Sequence, residues 1–406
     1  MGASNSPWIC CQLGAREHYA IPRSLARSGN LAALITDAWV PPQSTWHRLR
    51  LPALKPLQER FHPELQSSPV YAFNRSLLCF EVIQRSRQTS EWSRIIARNH
   101  WFQQQAVQKL RQLKLPPSYC PTLFTYSYAA LDLLRYAKAK GWQTVLGQID
   151  PGPIEEAIVA AEHSRYAPEG NWHPAPAHYW QAWQAECALA DRIIVNSDWS
   201  RQALQQAGIA SPKIEVIPLA YEQPEPSKNW LRSYPAQFSS QRPLRVLFLG
   251  QVILRKGIAA ILEAADRLQN EPIEFYLVGT PGIPNSLPHH PKMHWLEAVS
   301  RSETAHYYQN ADIFLFPTLS DGFGLTQLEA QAWKLPIISS RFCGAVVKDQ
   351  VNGWVLPEVT GTTIAQTLQQ CLHNPALLAQ FSHQSSVTHE FSLNQLSTQL
   401  VATPTR

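Results

Sequence analysis

A single stretch decides the fold and function expected of this chain: PTLSDGFGLTQLEAQAWKLPIISS, residues 317–340. It begins where an apolar run over residues 312–318 ends, and such a run is typical of a buried strand. Open parallel α/β sheets bind ligands at the carboxyl ends of their strands, where this stretch lies. Gly322 and Gly324 allow the backbone to approach a ligand, and a helix predicted to begin near Leu325 directs its first N–H groups there. The stretch therefore predicts an anion-binding loop.

Two carboxylates accompany this loop. Asp321 precedes the predicted helix, and Glu329 lies just inside it, eight residues later. Carboxylates placed in this way accept hydrogen bonds from several hydroxyl groups of one extended ligand. The alternative is an ordinary helix start with a solvated Asp and a helical Glu, and this stretch alone leaves that alternative open.

A second stretch, VLFLGQVILRKGIAAILEAADRL over residues 246–268, has the same strand–loop–helix form. Its strand ends at Gly250, and the loop carries Arg255 and Lys256 into a helix predicted from about Gly257. A cationic side chain beside a helix N-terminus suits a diphosphate. A basic turn exposed on the surface is the other interpretation.

Short runs rich in Val, Ile and Leu alternate with helical patterns along the whole chain, and most of these runs lack polar alternation. The runs predicted as strands are 7–13, 32–39, 122–128, 142–149, 192–197 and 213–219 in the first half, and 244–250, 274–280, 293–299, 312–318, 336–340 and 353–357 in the second. This alternation predicts an α/β protein with two doubly wound, Rossmann-like parallel sheets.

A polar stretch rich in Pro and Ser, residues 223–243, separates the two halves and is predicted to be a linker. We therefore expect an N-terminal domain over 1–222, with a basic insertion at 41–118, and a C-terminal domain over 244–380. The tail, 381–406, has loosely helical spacing and is a candidate helix that packs back across the junction.

Together the two motif stretches resemble the GT-B glycosyltransferases of glycosyltransferase family 4. The signature of that family is a Glu followed by Gly-Phe-Gly-Leu or a close variant, with a second Glu eight positions after the first. Residues 321–340 match this signature, except that Asp321 replaces the first Glu. The resemblance implies two Rossmann-like domains facing a cleft, with 1–222 as the acceptor-side domain and 244–380 as the nucleotide-sugar donor domain. It also implies that Glu329 binds the ribose of a nucleotide, and that Asp321 and the following loop contact the transferred sugar.

The resemblance continues around the diphosphate-binding loop and, more weakly, in the first half. Lys256 is in register with the family's Lys, whereas Gln251 replaces an Arg for which Arg255 is a candidate substitute. Residues 13–29 resemble the family's Gly-Gly-x-Glu loop, with Ala15 at the second Gly. Further candidate residues are Gly14, Glu17 and His18 in that loop, and Gln148 or Asp150 where many relatives have a histidine.

The resemblance implies a retaining hexosyltransferase that transfers a sugar from a nucleotide-sugar donor to an unidentified glycan, lipid or small-molecule acceptor. The expected catalytic residues are Lys256, Asp321 and Glu329. The expected donor-binding residues are Gly14, Gln251, Arg255, Lys256, Gly322, Phe323, Gly324, Leu325 and Glu329, and the candidate acceptor or sugar contacts are His18, Gln148 and Asp150. A non-catalytic nucleotide-sugar-binding scaffold on the same fold is the alternative, because Gln251 and Asp321 depart from the family pattern.

The absence of several known motifs argues against some classes of enzyme and of metal site. The sequence has no Asp-x-Asp, no G-x-G-x-x-G, no Walker A loop, and no Cys-x-x-Cys or HExxH zinc motif. We therefore expect neither a metal nor a cofactor, and a nucleotide-sugar as a substrate. A glycan phosphorylase or a nucleotide-sugar epimerase is a lesser alternative on the same fold.

Charge is uneven along the chain, whose net charge is +5. Residues 41–120 hold 12 Lys and Arg against 4 Asp and Glu, with Trp46, Phe61, Trp92, Trp101 and Phe102 interleaved. Such a segment suits an anionic membrane or a phosphorylated acceptor, and a solvated face of Arg-rich helices is the alternative. We expect no nucleic-acid partner.

Location is inferred from cysteine usage and from the lack of targeting signals. The 7 cysteines are scattered and odd in number, which favours reduced thiols. No apolar run approaches the roughly 18 residues that a membrane-spanning helix needs, and the N-terminus has no basic, apolar leader. These features predict a cytoplasmic protein, peripheral at the inner membrane face if the basic segment binds lipid.

Overall fold

The computed structural model describes residues 7–44, 57, 60–87, 89–116, 120–168, 170, 172–283, 290–300 and 303–402. They contain two wholly parallel sheets flanked by helices, which confirms the expected two-domain α/β fold. Among these residues, none of the helices is both long enough and apolar enough to cross a membrane.

The first sheet has seven strands in the order β3-β2-β1-β4-β5-β6-β7. The strands are β1 Trp8–Gln12, β2 Leu31–Thr36, β3 Val70–Ala72, β4 Thr122–Tyr126, β5 Gln143–Gly147, β6 Arg192–Val195 and β7 Ile214–Val216. The helices of this half are α1 Ala20–Arg27, α2 Asn74–Ser86, α3 Glu91–Gln112, α4 Leu131–Ala139, α5 Pro153–Tyr166, α6 Ala177–Leu189 and α7 Asp198–Gln206. Every residue of β1 and β4 is buried, because helices cover both faces of the sheet.

The second sheet has six strands in the order β10-β9-β8-β11-β12-β13. They are β8 Leu244–Leu249, β9 Ile273–Val278, β10 Met293–Leu296, β11 Ile313–Phe316, β12 Ile337–Ser340 and β13 Gly353–Leu356. The remaining helices are α8 Glu225–Lys228, α9 Ile258–Arg267, α10 Thr304–Asn310, α11 Thr326–Ala332, α12 Gly361–His373, α13 Pro375–Gln384 and α14 Leu393–Val401.

Strand order fixes where ligands bind. In the first sheet β1 lies between β2 and β4, and in the second β8 lies between β9 and β11. The chain therefore leaves the central strands in opposite directions, and a crevice opens at the carboxyl ends of β1/β4 and of β8/β11.

Segments on either side of the second domain tie the two halves together. Arg232, in the predicted linker, donates to the backbone carbonyls of Tyr308, Ala311 and Trp333 in the second domain. At the far end, α14 returns to the first domain, where its Leu side chains join the core beside α1. The Ser397 and Ser28 hydroxyl groups are hydrogen-bonded there at 2.8 Å.

The insertion between β2 and β4 is more regular than the sequence indicates. It contributes α2, α3 and also β3, which pairs in parallel with β2 at the sheet edge. That strand is only three residues long, which is too short to give a recognisable periodic pattern in the sequence. Residues 45–56, including Trp46, lie outside the described part of the chain.

Candidate functional site

The loop after β11 lies at the crevice of the second sheet. Gly324 has a φ of +82°, and a Cβ there would lie 2.5 Å from the Phe316 ring, so the position requires glycine. The Asp321 N–H donates to the Phe342 carbonyl at 2.9 Å, which anchors the loop to the segment after β12. The loop leads directly into α11, which begins at Thr326.

Lys256 and Asp321 form an ion pair across this crevice, between the loops that follow β8 and β11. The two side chains are only 13% and 18% exposed. Burial pushes the pKa of Asp321 upward, but the Lys256 and Arg255 cations outweigh it, so the pKa lies below its ordinary value. The carboxylate therefore stays ionised and holds the ammonium group in the crevice.

Arg255 links the two domains. Its guanidinium donates to the Ser320 carbonyl at 2.7 Å and to the Glu155 carboxylate, on α5 of the first domain, at 3.3 Å. The Ser320 hydroxyl donates to the same carboxylate at 2.8 Å. Burial raises the pKa of Glu155 to about 7, although the Arg255 cation acts in the opposite direction. Arg255 is thus held by protein groups on both sides of the cleft.

Gly322 is the point of closest approach between the domains at the loop. A Cβ at this position would lie 2.4 Å from the Ile149 carbonyl oxygen and 3.6 Å from the Asp150 Cα. The Gly322 carbonyl accepts a hydrogen bond from the Ser200 hydroxyl, on α7, at 3.4 Å. Only glycine allows this loop to touch the segment after β5 in this way.

Glu329 lies one turn inside α11 and is partly buried. The Tyr308 hydroxyl, on α10, donates to its Oε2 at 2.8 Å. Burial and the neighbouring Glu329 carboxylate raise the pKa of Tyr308 well above its ordinary value, so the phenol remains a donor. Tyr308 leaves the second carboxylate oxygen of Glu329 for another partner.

The other expected donor contacts are spread around the same cleft. Gln251 is exposed at the end of β8. Leu325 and His18 line one cavity of about 200 Å³, together with Tyr221. That cavity joins the first-domain loop to the start of α11, so it brings these residues to opposite walls of the cleft.

The loop after β1 is held in an unusual backbone conformation. Gly14 has a φ of +86°, and its N–H donates to the fully buried Asp37 at 2.9 Å. Glu17, His18 and Tyr19 follow with φ values of 51°, 51° and 60°. Three successive non-glycine residues in the left-handed region cost free energy, and such strain is concentrated at functional sites.

Gln148 and Asp150 form a network at the end of β5. The Gln148 amide donates to the Tyr128 hydroxyl at 3.1 Å and accepts from the Trp183 indole at 2.9 Å. One oxygen of Asp150 accepts from the Tyr128 hydroxyl and from the Gly152 N–H. Tyr128 itself has a φ of +72°. These contacts fix both candidate residues against the first domain.

One group of possible metal ligands occurs in the described part of the chain, formed by His62, Glu64 and Glu222. Arg23 and Arg27 already pair with both glutamates. Burial and nearby arginines lower the pKa of His62. The guanidinium groups neutralise the carboxylates, so this cluster is arranged as an ion network.

Two partners of the site have no signal in the sequence. Tyr308 lies 21 positions before Glu329 on a separate short helix, and Glu155 lies 100 positions before Arg255 in another domain. Only the three-dimensional arrangement identifies them, because neither follows a motif residue at a fixed spacing.

Comparison with known families gives a match in the second half. Residues 243–374 match the family model described as "Glycosyl transferases group 1". The matched region contains Lys256, Asp321 and Glu329.

Curated relatives match over part of their length. The chain is 27% identical over 236 residues to the D-inositol 3-phosphate glycosyltransferase of Kineococcus radiotolerans, covering 50% of this chain and 54% of that protein. It is 23% identical over 166 residues to the capsular polysaccharide biosynthesis glycosyltransferase CapM of Staphylococcus aureus, covering 38% and 42%. The chain thus spans about half the length of these relatives. Both of these relatives are named as glycosyltransferases.

Solved structures match over nearly the whole chain. Anabaena Alr3699/HepE in complex with UDP has a TM-score of 0.62 at 14% identity, covering 97% of this chain and 98% of that one. The catalytic domain of Arabidopsis thaliana starch synthase IV, bound to ADP and acarbose, has a TM-score of 0.64 at 13% identity, covering 98% of both chains. The two domains together therefore have the GT-B fold.

Proposed function

We propose that the protein is a retaining glycosyltransferase of glycosyltransferase family 4, which transfers a sugar from a nucleotide-sugar to an acceptor held by the first domain. One observation carries the proposal. Lys256 pairs with Asp321 between the loops that follow β8 and β11, and the glycine loop that holds Asp321 leads directly into α11, which carries Glu329. Solved structures of the same fold contain UDP, UDP-glucose or ADP.

The proposed donor pose follows from the chemistry of these groups. The ribose hydroxyls donate to the Glu329 oxygen that Tyr308 leaves free. The diphosphate lies beside Lys256 and the N-terminus of α9, where the cation and the peptide dipoles both stabilise negative charge. The transferred sugar lies against Asp321 and the amides of the following loop.

The proposed reaction retains the anomeric configuration. The bond between the anomeric carbon and the diphosphate oxygen breaks, and the acceptor oxygen forms a bond to the same face of that carbon. A diphosphate oxygen takes the acceptor proton. The protein contributes positioning and cationic stabilisation of the leaving group, mainly through Lys256. We propose that this cation makes a metal or other cofactor unnecessary.

Asp321 has two roles in this proposal. It contacts the transferred sugar, and in the free protein it holds Lys256 in the crevice. Because the carboxylate stays ionised, a bound diphosphate competes with it for the ammonium group. Donor binding then exchanges one anionic partner of Lys256 for another.

A non-catalytic nucleotide-sugar sensor is the second candidate, and Gln251 is the observation that favours it. This residue occupies the position of a family Arg and is exposed at the crevice. An amide still donates a hydrogen bond, so the replacement weakens binding without abolishing it. The two candidates differ in turnover, since a sensor binds donor but forms no product.

We also propose that α2 brings the protein to anionic membranes. Its outward face exposes Val82 and Ile83 at 68% and 48%. Four exposed arginines on α2, after it and at the start of α3 have no acidic partner among the described residues: Arg75, Arg85, Arg87 and Arg94. Arginines attract anionic headgroups, and exposed apolar side chains insert between them. Flotation with phosphatidylglycerol vesicles at low salt is expected for the wild type and is lost in the fourfold Arg→Ala variant.

The experiment for the proposed activity is a transfer assay with chelator present. The purified protein is incubated with UDP-, GDP- and ADP-sugars and a panel of sugars, polyols and lipid acceptors. Release of nucleoside diphosphate together with an α-linked product from an α-linked donor supports the proposal. Inversion at the anomeric carbon contradicts the retaining mechanism, and binding without product supports the sensor.

A further inference from the structure

A cavity of about 380 Å³ lies on one face of the second sheet, between the sheet and α10. Its floor is formed by residues of β8, β9 and β10, namely Arg245, Leu247, Tyr276 and Leu296. α10 has only 7 residues, which span about 10 Å, so it covers only part of this face. Neither Lys256 nor Asp321 lines the cavity, so it is separate from the crevice that holds their ion pair.

The guanidinium group of Arg245 lacks a partner in this cavity. The side chain is partly buried, and its Nε is buried without a hydrogen-bond partner among the residues that the structure describes. A guanidinium group carries five N–H donors and a permanent charge. Leaving such a group unpaired costs free energy, and most buried polar groups in native proteins are satisfied. An anion in the cavity would supply the missing partner.

Two carboxylates close to Arg245 in the sheet are engaged by other groups. Glu274 is the register partner of Arg245 on β9, but its Oε2 accepts a hydrogen bond from the Tyr276 hydroxyl at 2.8 Å. Asp312 accepts from both Nη atoms of Arg242 at 2.7 Å, and from Arg245 it accepts only the backbone N–H, at 2.9 Å. The charge of the Arg245 guanidinium is therefore left for a ligand.

The other walls of the cavity suit the apolar body of an organic ligand. Leu247 is buried in the floor, and Leu296 lies partly buried at its edge. The Tyr276 ring lies in the same floor, and the His294 ring stacks on it with centroids 4.6 Å apart. Tyr307 of α10 contributes a further ring. Apolar and aromatic walls with one well-placed charge are typical of small-molecule sites.

α10 connects this cavity to Glu329. Tyr307 lines the cavity, and the next residue, Tyr308, donates to the Glu329 Oε2 at 2.8 Å. The two tyrosines belong to one short hydrogen-bonded helix, so a ligand that contacts Tyr307 restricts the helix that orients the Glu329 carboxylate.

We propose that this cavity binds a small organic anion, whose carboxylate or phosphate pairs with Arg245 and whose apolar body packs on Leu247 and Tyr276. Once bound, the anion fixes α10 and, through Tyr308, the carboxylate of Glu329. It thus acts as an effector that tightens donor binding without entering the cleft. The effect on the donor rests on the proposed function, whereas the anion site itself does not.

The first experiment measures anion binding without any donor. Calorimetry is performed with phenyl phosphate and with benzoate, and benzyl alcohol is the neutral comparator. Binding of at least one anion, but not of benzyl alcohol, is expected, and the affinity should fall as salt is added because ions screen the Arg245 charge. Equal binding of benzyl alcohol, or binding of neither anion at high millimolar concentration, overturns the proposal.

Arg245→Gln tests the cation. This variant is expected to raise the Kd of the bound anion about tenfold or more, because it removes a hydrogen bond between charged groups. Its Tm is expected to stay level, since the guanidinium has no protein partner among the described residues. Arg267→Gln is the matched control, because it removes an exposed arginine of α9 and changes the net charge equally. It should bind the anion as the wild type does.

Two further variants locate the anion. Leu296→Trp fills the cavity without changing the charge and is expected to abolish binding. Binding that survives both Arg245→Gln and Leu296→Trp but is lost in Lys256→Ala would place the anion in the crevice beside Asp321 and overturn the proposal.

Hydrogen exchange tests the link through α10, again without a donor. Saturating phenyl phosphate is expected to slow exchange of the amides of residues 304–310 in the wild type and not in Arg245→Gln. Unchanged exchange in this segment, despite binding at Arg245, would show that the anion does not act on α10.

Donor calorimetry completes the test. Saturating phenyl phosphate is expected to lower the donor Kd about fivefold or more in the wild type. The effect should be smaller in Tyr308→Phe, which lacks the hydrogen bond to Glu329. An unchanged donor Kd contradicts the effector role. Anion binding at Arg245 with slowed exchange in α10, but without binding of any nucleotide-sugar, would refute the transferase function and keep the anion site, so the two failures are distinguishable.

Discussion

The two ligand-binding edges of the molecule differ in how their polar groups are satisfied. At the edge of the second sheet Lys256 pairs with Asp321, and Tyr308 donates to Glu329. At the edge of the first sheet, Thr125 and Ser127 are buried without partners in the described structure. Strained residues also gather at the first edge, in the loop after β1.

This difference has a physical reason. At the second edge the paired residues lie in two short loops that follow β8 and β11. At the first edge the residues come from the ends of three strands and from two helices. Long-range packing therefore brings together the residues of the first edge, whereas local sequence motifs supply the residues of the second edge.

The largest expected effect is at Lys256. Lys256→Ala is expected to lower turnover about 10²- to 10³-fold at saturating donor, because the leaving diphosphate loses its cation. Lys228→Ala, which removes an exposed lysine, is the control and should keep full turnover. Steady-state kinetics distinguish the two variants, and unchanged turnover in Lys256→Ala would remove the main support for the mechanism.

Measurements of unfolding free energy distinguish the proposed catalytic role of Lys256 from its effect on folding. Removing one member of a buried ion pair costs about 3 kcal/mol of unfolding free energy. The double variant Lys256→Ala/Asp321→Asn is expected to recover much of this loss, as judged by urea denaturation. Its turnover should remain low.

Gly322 tests the contact between the two edges. Gly322→Ala places a methyl group 2.4 Å from the Ile149 carbonyl and is expected to push the domains apart. We expect turnover about 10²-fold lower, because small displacements of reacting groups have effects of this size. Gly208→Ala is the control, since Gly208 has a φ of +88° and no atom near its Cβ position. It should lose about 1 kcal/mol of stability and no turnover.

Substitution of Glu329 should change the Kd of the donor more than it changes turnover. Glu329→Ala is expected to raise the donor Kd about tenfold or more, as the loss of a hydrogen bond to a charged group does. Tyr308→Phe, which removes only the phenol that orients this carboxylate, should have a smaller effect. Equal Kd values for Glu329→Ala and the wild type would place the ribose elsewhere.

The smallest expected effect concerns pH. The pKa of Glu155 is raised to about 7 by burial, whereas an unfolded Glu titrates near its ordinary value of 4.5. The folded protein therefore holds this proton more tightly, and the stabilisation present at low pH is lost as pH rises through about 7.

Glu155→Gln should remove this contribution. The slope of unfolding free energy against pH between about 5 and 7 should become less negative, by up to about 1.4 kcal/mol per pH unit. Urea denaturation at several pH values measures this slope. Glu225→Gln, with an exposed side chain, is the control. An identical slope in Glu155→Gln and the wild type would show that burial does not govern this carboxyl.

The sequence predicts the fold well because strands buried on both faces leave clear apolar runs. The sequence also places Lys256 after β8 and Asp321 after β11, and the structure pairs these two residues. The sequence does not reveal Tyr308 or Glu155, whose contacts join distant parts of the chain. The three left-handed residues after Gly14 are equally invisible, because non-glycine residues rarely adopt that conformation and only tertiary packing enforces it.

The most direct test of the central claim is calorimetry of a donor panel against the wild type and Glu329→Ala, with chelator and without added metal. UDP-, GDP- and ADP-sugars are titrated in turn. The account predicts that one nucleotide class binds the wild type and that Glu329→Ala weakens it about tenfold or more. Binding of no donor, or equal binding to both proteins, would contradict a nucleotide-sugar site at the ends of β8 and β11.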